Sequence, residues 1–235
     1  MLKSYSENAN HNMRRPVVKE ELVDYMRTHL QQPQGHLATI AAFAREHNIP
    51  IIQQEVVAYF RLLMQTLAPK DILEVGTAIG FSALLMAEYA PDAQITTIDR
   101  NPEMIALAKE NFAQYDYRQQ ISLLEADAVD LLSNLDQAFD FVFMDSAKSK
   151  YIVFLPDILK NLKKGGVIIF DDVFQGGDIA RPIEEVRRGQ RTIYRGLHRL
   201  FDATLNHPGL TASLIPMSDG LLMLRKNEDE IHLLD

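Results

Sequence analysis

Three aspartates stand directly after apolar runs in the second half of the chain, where carboxylates can hold a metal ion. Asp145 ends the run FVFMD, and Asp171 and Asp172 follow the run VIIF. Adjacent carboxylates repel each other, and a buried charge costs several kcal/mol unless it is paired or bound to a metal. Oxygen ligands in a chain without cysteine favour a hard cation such as Mg²⁺ or Ca²⁺. The alternative is that Asp145 begins a turn and Asp172 caps the next segment.

A glycine-containing turn and two further acids precede these aspartates. The stretch EVGTAIGFS, residues 74–82, carries Gly76 and Gly80, which permit a tight turn at the start of a helix. It matches neither GxGxxG nor the phosphate-binding pattern GxxxxGK, so alone it is weak support for a ligand site. Asp99 follows about 20 residues later, where a carboxylate can accept hydrogen bonds from both ribose hydroxyls. For Asp127, after the next apolar run, both an adenine contact and a helix cap remain open.

Arginines are concentrated in the stretch ARPIEEVRRGQRTIYRGLHRL. They are Arg181, Arg187, Arg188, Arg191, Arg195 and Arg199. Positions 187, 191, 195 and 199 repeat every four residues, which places them on one face of a helix. Arginine binds phosphates and stacks on bases, so this face is a candidate RNA-binding surface. The alternative is a solvated helix face, and Gly189 and Gly196 argue against one uninterrupted helix.

The elements that must position these residues are short apolar runs that alternate with helical stretches. The runs are DILEV, QITTID, ISLLEA, FDFVFMD and VIIFDD. Because they are continuously apolar and separated by helices, they predict a parallel sheet covered on both faces. TASLIP and LLMLRK flank the turn MSDG and predict an antiparallel hairpin. The predicted fold is α/β, a doubly wound, mostly parallel seven-stranded sheet that binds ligands at the carboxyl ends of its strands.

The rest of the chain adds helices in front of this sheet. Residues 18–68 are predicted to be a helical region, broken at PQG and NIP, and residues 1–17 a flexible polar tail. No linker, internal repeat or low-complexity tract divides the sequence. Residues 18–235 are therefore expected to form a single domain.

Composition narrows the classes of function. The 235 residues carry 24 lysines and arginines against 32 acidic residues, and the formal net charge of −8 argues against nucleic-acid binding by bulk charge. A local basic patch could still bind. The absence of cysteine excludes disulfides, zinc–thiolate sites and cysteine nucleophiles. No apolar run reaches transmembrane length and the polar start lacks the core of a signal peptide, so we expect a cytoplasmic protein without membrane contact.

The glycine turn, Asp99 and the pair Asp127-Ala128 resemble the successive motifs of class I methyltransferases that depend on S-adenosylmethionine (SAM). The resemblance implies a Rossmann-like fold in which the glycine loop lies beside the methionine moiety of SAM. It places Asp99 on the ribose and Asp127 on the adenine. Ser82 stands where that family commonly holds the methionine end, and Glu74 is expected to orient its neighbours.

The stretches MDSAKSKY and GGVIIFDDV are similar to metal-dependent O-methyltransferases of the catechol and caffeoyl-CoA type. The resemblance implies Mg²⁺ held by Asp145, Asp171 and Asp172. It also implies that Lys148 takes the proton from the acceptor or stabilises the oxyanion, provided that its pKa is depressed. Asp172 stands where the family has Asn. The additional negative charge is expected to tighten cation binding or to favour a different divalent ion.

The chain most resembles the bacterial tRNA 5-hydroxyuridine methyltransferases, from Val18 to Arg225, through stretches such as HNIPII and NHPGLTASLIPMSDGL. The resemblance implies methylation of a wobble uridine in the tRNA anticodon loop to 5-methoxyuridine, with Ile52 in contact with the cofactor. The candidate cofactor-binding residues are therefore Ile52, Glu74, Gly76, Thr77, Gly80, Ser82, Asp99, Asp127, Ala128 and Asp145. The candidate RNA-binding residues are Arg187, Arg188, Arg191, Arg195 and Arg199.

Other functions stay open at this point. The closest is the same chemistry on a small catechol or a phenolic CoA ester. A nicotinamide-dependent oxidoreductase is disfavoured by the missing GxGxxG pattern, and a non-catalytic SAM-binding protein by the retention of three aspartates and Lys148. The apolar N-terminal helices, together with what is common in the family, imply a homodimer.

Overall fold

A computed structural model describes residues 18–233, and the predicted tail, residues 1–17, lies outside the described residues. The described chain forms seven strands: β1 Asp71–Val75, β2 Gln94–Asp99, β3 Ile121–Glu125, β4 Phe139–Met144, β5 Leu162–Phe170, β6 Leu210–Ile215 and β7 Leu221–Lys226. Its helices are α1 Glu20–His29, α2 Gly35–Glu46, α3 Gln54–Leu67, α4 Phe81–Tyr89, α5 Pro102–Tyr115, α6 Ala128–Leu131, α7 Tyr151–Asn161 and α8 Arg191–Thr204.

The strands form one sheet in the order β3-β2-β1-β4-β5-β7-β6. Strands β1 to β5 run parallel, and β7 pairs antiparallel with both β5 and β6. The predicted doubly wound sheet with an antiparallel C-terminal hairpin is therefore confirmed. Met144 pairs with Phe170 between β4 and β5, and with Val75 between β4 and β1. The residues that follow these three strands consequently lie side by side at one edge of the sheet.

The continuous apolar runs become central strands because helices cover both faces of the sheet. One face packs against α2, α3 and α4, and the other packs against α7 and α8. Helix α4 is enclosed, since every residue from Phe81 to Ala87 is buried. A helix that is apolar on all sides is stable only in such a position. Both faces of the sheet therefore contribute to the core that holds the strand ends in place.

The N-terminal helical region is divided into α1, α2 and α3. Helix α3 ends at Leu67, after which Ala68 adopts the left-handed conformation with φ 44°. Helix α1 is held to α3 by a two-point ion pair, in which Arg27 Nε lies 2.9 Å from Glu55 Oε2 and Nη2 lies 3.0 Å from Oε1. The Glu55 side chain is only 1% exposed. Within residues 18–233, no helix combines the length and apolar character needed to cross a bilayer.

Two helical segments differ from the sequence prediction. The stretch after Asp127 forms only the single turn α6 and a 3₁₀ turn over Leu132–Asn134. Gly196, expected to interrupt the arginine-rich helix, is buried in the middle of a continuous α8. Gly196 is placed there by a close contact with the backbone of Ser149, which lies outside α8 and which the local sequence does not reveal.

The predicted helix face with arginines at 187, 191, 195 and 199 forms only in part. Helix α8 begins only at Arg191, and the preceding residues Arg188–Gln190 form a 3₁₀ turn. The Arg191 guanidinium donates hydrogen bonds to the carbonyls of Val186 and Glu184, each at 3.0 Å, so the segment before the helix folds back onto its first turn. Arg187 and the helical arginines therefore do not share one helix face.

Candidate active site

Three carboxylates meet where β4 and β5 end. Asp145 follows β4, and Asp171 and Asp172 follow β5. One carboxylate oxygen of each lies within 4.8 Å of the other two. The Asp171 residue is 2% exposed, whereas the side chains of Asp145 and Asp172 are 24% and 13% exposed. The structure thus brings the three predicted metal ligands together at the cleft edge of the sheet.

One oxygen of this cluster lacks a partner. Asp172 Oδ1 is buried and makes no hydrogen bond with any part of the chain that the structure describes. Asp172 has a left-handed backbone with φ 55°, and its N–H donates to Asp171 Oδ1 at 2.8 Å. Buried polar atoms without a partner are uncommon in folded proteins. An orphaned carboxylate oxygen beside two further carboxylates fits a hard divalent cation.

The electrostatic interactions among the three carboxylates also favour a bound cation. Burial raises the pKa of Asp171 well above its ordinary value, and the charges of Asp172 and Asp145 raise it further. Three carboxylates at this spacing therefore do not all ionise at low cost without a counter-charge. A cation among them would remove that penalty.

Lys148 is the cation that the chain itself brings to the cluster. Its Nζ lies 3.1 Å from Asp172 Oδ2 and 3.5 Å from Asp145 Oδ1. Burial lowers the pKa of Lys148, but the charges of the surrounding carboxylates raise it, and the net pKa lies well above the ordinary value. Among ionised carboxylates Lys148 therefore keeps its proton. Because the same carboxylates are the predicted metal ligands, the role of Lys148 as a base stays a prediction.

Tyr151, which sequence reasoning did not single out, joins the two strand ends. Its fully buried hydroxyl donates towards the carbonyls of Met144, at 3.0 Å, and Asp171, at 3.2 Å. It accepts a hydrogen bond from the backbone N–H of Ser146 at 3.3 Å. Burial raises the pKa of Tyr151 well above its ordinary value, so the phenol remains a donor. The side chain holds the ends of β4 and β5 at a fixed separation.

The turn between β6 and β7 fixes the loop that follows Asp172. Backbone N–H groups of Val173 and Phe174 donate to the carbonyls of Gly220 and Asp219, at 3.0 and 2.8 Å. The N–H of Gly176 donates to Asp219 Oδ1 at 2.6 Å. Sequence analysis recognised MSDG only as a hairpin turn, because its partner loop lies more than forty residues earlier in the chain.

The glycine turn lies against the backbone of Asp145, one of the three aspartates. Gly76 has φ 111°, and a Cβ at this position would overlap the backbone carbonyl oxygen of Asp145. Gly80, with φ 82°, caps α4 and would drive a Cβ into the Phe112 ring. Ala78 between them has φ 45°, so the loop keeps a left-handed residue without a glycine there. Both glycines are therefore required by packing, and the loop is anchored beside the first aspartate.

Glu74 is the centre of a buried hydrogen-bond network under this loop. Its two carboxylate oxygens accept hydrogen bonds from Ser82 Oγ and Thr97 Oγ1, each at 2.5 Å. Thr77 Oγ1 lies 2.6 Å from Thr97 Oγ1 and extends the network. Burial raises the pKa of Glu74 to about 8, against the lowering effect of the two hydroxyl donors. The network ties β1, the glycine turn, β2 and α4 together.

Asp99 and Asp127 stand at the ends of β2 and β3. Asp99 accepts backbone N–H groups of Ala78 and Asn101 at 2.8 and 2.9 Å, which leaves further lone pairs on both oxygens. Asp127 Oδ1 accepts from the N–H of Val129 and so caps α6, while Oδ2 lies 2.6 Å from Arg100 Nη1. The Val129 hydrogen bond and Arg100 lower the pKa of Asp127.

A cavity of about 550 Å³ adjoins Asp127. Its lining includes Arg100, Ala126 and Asp127 at the strand ends, and Pro102 and Ile105 on α5. Asp127 therefore caps α6, as one of its two predicted roles required, and its contact with adenine stays a prediction.

A family model described as O-methyltransferase matches residues 34–227, which is most of the chain. The chain belongs to this O-methyltransferase family. It is a class I SAM-dependent O-methyltransferase of the caffeoyl-CoA O-methyltransferase group.

Individual relatives agree with the family match. The chain is 27% identical over 213 residues to Tapetum-specific methyltransferase 1 of Arabidopsis thaliana, covering 88% of this chain and 90% of that protein. It is 26% identical over 171 residues to caffeoyl-CoA O-methyltransferase of Stellaria longipes, covering 70% and 71%. The SAH-bound Podospora anserina methyltransferase PaMTH1 superposes with a TM-score of 0.80 at 25% identity, covering 90% of this chain and 97% of that one.

The remaining predicted residues of the methyltransferase differ in exposure. Ile52 is 5% exposed and packs in the same apolar cluster as Ile79 of the glycine turn. Thr77 is fully buried, and Ala128 begins α6 beside Asp127. The predicted cofactor residues on the strands therefore lie at one edge of β1 to β4, and Ile52, before α3, lies in the apolar cluster that includes Ile79.

The arginines form a looser group on this methyltransferase than predicted. Arg187, Arg188, Arg195 and Arg199 are exposed, the first two before α8 and the last two on it. Arg191 is half-buried and uses its guanidinium to hold the backbone before α8. Arg191 therefore contacts its own chain, and its role in RNA binding stays a prediction, as for the other arginines.

Proposed function

We propose that this methyltransferase transfers a methyl group to a hydroxyl of a small aromatic acceptor with two neighbouring oxygens, a catechol or a phenolic CoA ester. The observation that carries the proposal is the orphaned Asp172 oxygen inside a three-carboxylate cluster beside the glycine turn. A cation bound there has positions left for two acceptor oxygens. The named caffeoyl-CoA O-methyltransferase among the relatives supports the same acceptor class.

The binding residues follow from the strand ends. We assign the metal to Asp145, Asp171 and Asp172, with Mg²⁺ as the proposed ion. For the methyl donor we assign the ribose to Asp99, the adenine to Asp127 and Ala128, and the methionine end to the glycine turn and Ser82. When bound, SAM supplies the methyl group and the divalent ion lowers the pKa of the acceptor hydroxyl.

Lys148 acts as an electrostatic partner of the acceptor oxygen in this proposal. Its ammonium lies beside Asp145 and Asp172 and keeps its proton, so it stabilises the negative charge that develops when the acceptor hydroxyl ionises. The hydroxyl proton leaves to solvent. Tyr151 and the Asp219 turn act through the backbone, because they hold the two aspartate-bearing loops in place.

A tRNA wobble 5-hydroxyuridine is the second candidate acceptor. It also presents two neighbouring oxygens, and the exposed Arg187, Arg188, Arg195 and Arg199 favour it in a chain of net charge −8. Such a base would have to leave its stack to reach the cleft.

One experiment separates the two acceptors. The purified protein is given SAM with Mg²⁺ or EDTA, and either catechol and caffeoyl-CoA or tRNA from cells lacking this protein, with products identified by mass spectrometry. We expect Mg²⁺-dependent methylation of the small acceptors, lost in Asp145→Ala. Methylation of tRNA alone, with 5-hydroxyuridine accumulating in the deletion strain, would select the second candidate. Activity that survives both EDTA and Asp145→Ala contradicts the metal-dependent reaction.

A charge-reversal pair adds a control for the acceptor. Arg195→Glu with Arg199→Glu is expected to leave catechol methylation unchanged, because both side chains are exposed outside the carboxylate cluster. Loss of tRNA methylation in the same variant would support the arginines as an RNA contact.

Two further assignments belong to this proposal. We propose that the protein is a homodimer and that it is cytoplasmic, as the sequence implied. Sedimentation equilibrium tests the first, and fractionation of cells expressing a tagged chain tests the second.

A further inference from the structure

Helix α8 contains a buried glycine that contacts the turn carrying Lys148. A Cβ built on Gly196 would lie 2.9 Å from the carbonyl oxygen of Ser149, 3.0 Å from its Cα and 3.2 Å from its carbonyl carbon. All three are backbone atoms, so no side-chain rotation relieves the contact. Alanine is a better helix residue than glycine, so the glycine here costs helix stability. The close approach of α8 to the Ser149 backbone, which only a glycine permits, accounts for the residue at this position.

The contacted turn places Lys148 at the carboxylate cluster. Lys148–Lys150 form a 3₁₀ turn between β4 and α7, and Ser149 is its middle residue. A shift of the Ser149 backbone therefore moves the neighbouring Lys148. Its ammonium lies only 3.1 Å from Asp172, so small shifts change a direct ion pair.

The N-terminal end of α8 is tied to the loop that follows Asp172. Gln175 Nε2 donates to Gln190 Oε1 at 2.7 Å and lies 3.3 Å from the Gln190 carbonyl oxygen. Gln190 immediately precedes α8. The helix thus connects to both parts of the cluster, to the aspartate loop at its start and to the lysine turn at its middle.

We infer that α8 sets the separation between Lys148 and Asp172, with Gly196 as the positioning residue. The inference rests on the proposed function, since it gives Lys148 a place in the methyl-transfer reaction. Gly196 touches neither acceptor nor cofactor in this arrangement and acts only through the Ser149 backbone.

Gly196→Ala tests the contact, and Gly189→Ala is its matched control, because a Cβ at Gly189 meets nothing within 4 Å. The added methyl group must displace the Ser149 backbone by a few tenths of an ångström. Misplacement by 1 Å can cost about a hundredfold in rate, so we expect kcat to fall about tenfold. SAH affinity, measured by calorimetry, should stay unchanged, because the proposed donor residues lie on other strand ends. Gly189→Ala should keep the wild-type kcat.

A double-mutant cycle on Mg²⁺ affinity separates positioning of Lys148 from general damage. Calorimetric Kd values are compared for the wild type, Gly196→Ala, Lys148→Ala and the double variant, all without acceptor. If Gly196 acts through Lys148, its substitution changes the Mg²⁺ Kd severalfold in the wild type and leaves it unchanged in the Lys148→Ala background. An equal change in both backgrounds overturns the inference.

The remaining outcomes are also decisive. If Gly196→Ala does not fold, Gln175→Ala removes the amide contact at the other end of α8 and should lower kcat with unchanged SAH affinity. A wild-type kcat in that variant counts against the inference.

Full activity of Lys148→Ala contradicts the proposed function itself. Loss of activity in Lys148→Ala with a wild-type kcat in Gly196→Ala contradicts only the role of α8.

Discussion

Glu74→Gln should remove a large part of the pH dependence of folding stability. Glu74 is fully buried at the end of β1, and burial raises its pKa from 4.5 to about 8. In the unfolded chain the carboxyl group ionises at its ordinary pKa. The folded protein therefore holds a proton on Glu74 over a pH range in which the unfolded chain has already released it. Glutamine keeps the shape and both hydrogen-bonding positions towards Ser82 and Thr97, but it does not titrate.

The size of the effect follows from this shift in pKa. Each pKa unit corresponds to about 1.4 kcal/mol, so the rise in the pKa of Glu74 from 4.5 to about 8 corresponds to about 5 kcal/mol. Because the folded pKa is the higher one, this stability is fully present below the unfolded pKa. It is lost as the pH rises from about 4.5 through about 8. The free energy of unfolding of Glu74→Gln, relative to wild type, should therefore rise across this window.

Urea unfolding followed by circular dichroism, repeated at intervals between pH 5 and pH 9, measures this difference for the ligand-free protein. Other groups with a raised pKa, such as Asp171, titrate in both proteins and cancel in the comparison. Glu88→Gln is the matched control, because Glu88 is exposed on the same helix as Ser82. Parallel stability curves for wild type and Glu74→Gln would refute the argument, since they would mean that Glu74 is ionised in the fold.

Three further substitutions test other contacts. Asp172→Asn should weaken Mg²⁺ binding about tenfold by calorimetry, since one ligand charge is lost while asparagine tolerates the left-handed backbone. Tyr151→Phe should lower the free energy of unfolding by about 1–3 kcal/mol in urea titrations, because the Asp171 carbonyl loses the hydroxyl donor and the Met144 carbonyl keeps only the N–H of Asp171. Arg27→Ala should cost about 2 kcal/mol by the same measurement, since it leaves the buried Glu55 carboxylate unpaired. Adding Glu55→Gln to Arg27→Ala should restore much of the lost free energy of unfolding, because no unpaired carboxylate then remains. Unchanged stability in Arg27→Ala would contradict a stabilising ion pair.

The fold and the convergence of the three aspartates could be predicted from sequence. Continuous apolar runs alternating with helices require a parallel sheet covered on both sides, and the topology follows this expectation. In such a sheet the residues after neighbouring strands must share an edge, so Asp145, Asp171 and Asp172 meet without further information. The glycine turn and Asp99 follow from the same rule.

Other features depended on contacts between distant segments. The predicted common face of Arg187 and the helical arginines is wrong, because the hydrogen bonds that hold Arg191 against the preceding loop are invisible in a four-residue repeat. The pKa of Lys148 depends on the balance between burial and neighbouring carboxylates, which only the packed site determines. Tyr151 and Asp219 were missed because their partners lie on loops far away in the chain.

The order of amino acids was enough to place the functional residues at the ends of the strands, because strand pattern and sheet chirality are set by local hydrophobicity and steric rules. Tertiary structure alone decided how closely those residues approach and which charges they keep. The Gly76 contact with Asp145 and the Gly196 contact with Ser149 show the reason. Distances of a few ångströms between loops depend on the path of the whole backbone, and electrostatic interactions change steeply over such distances.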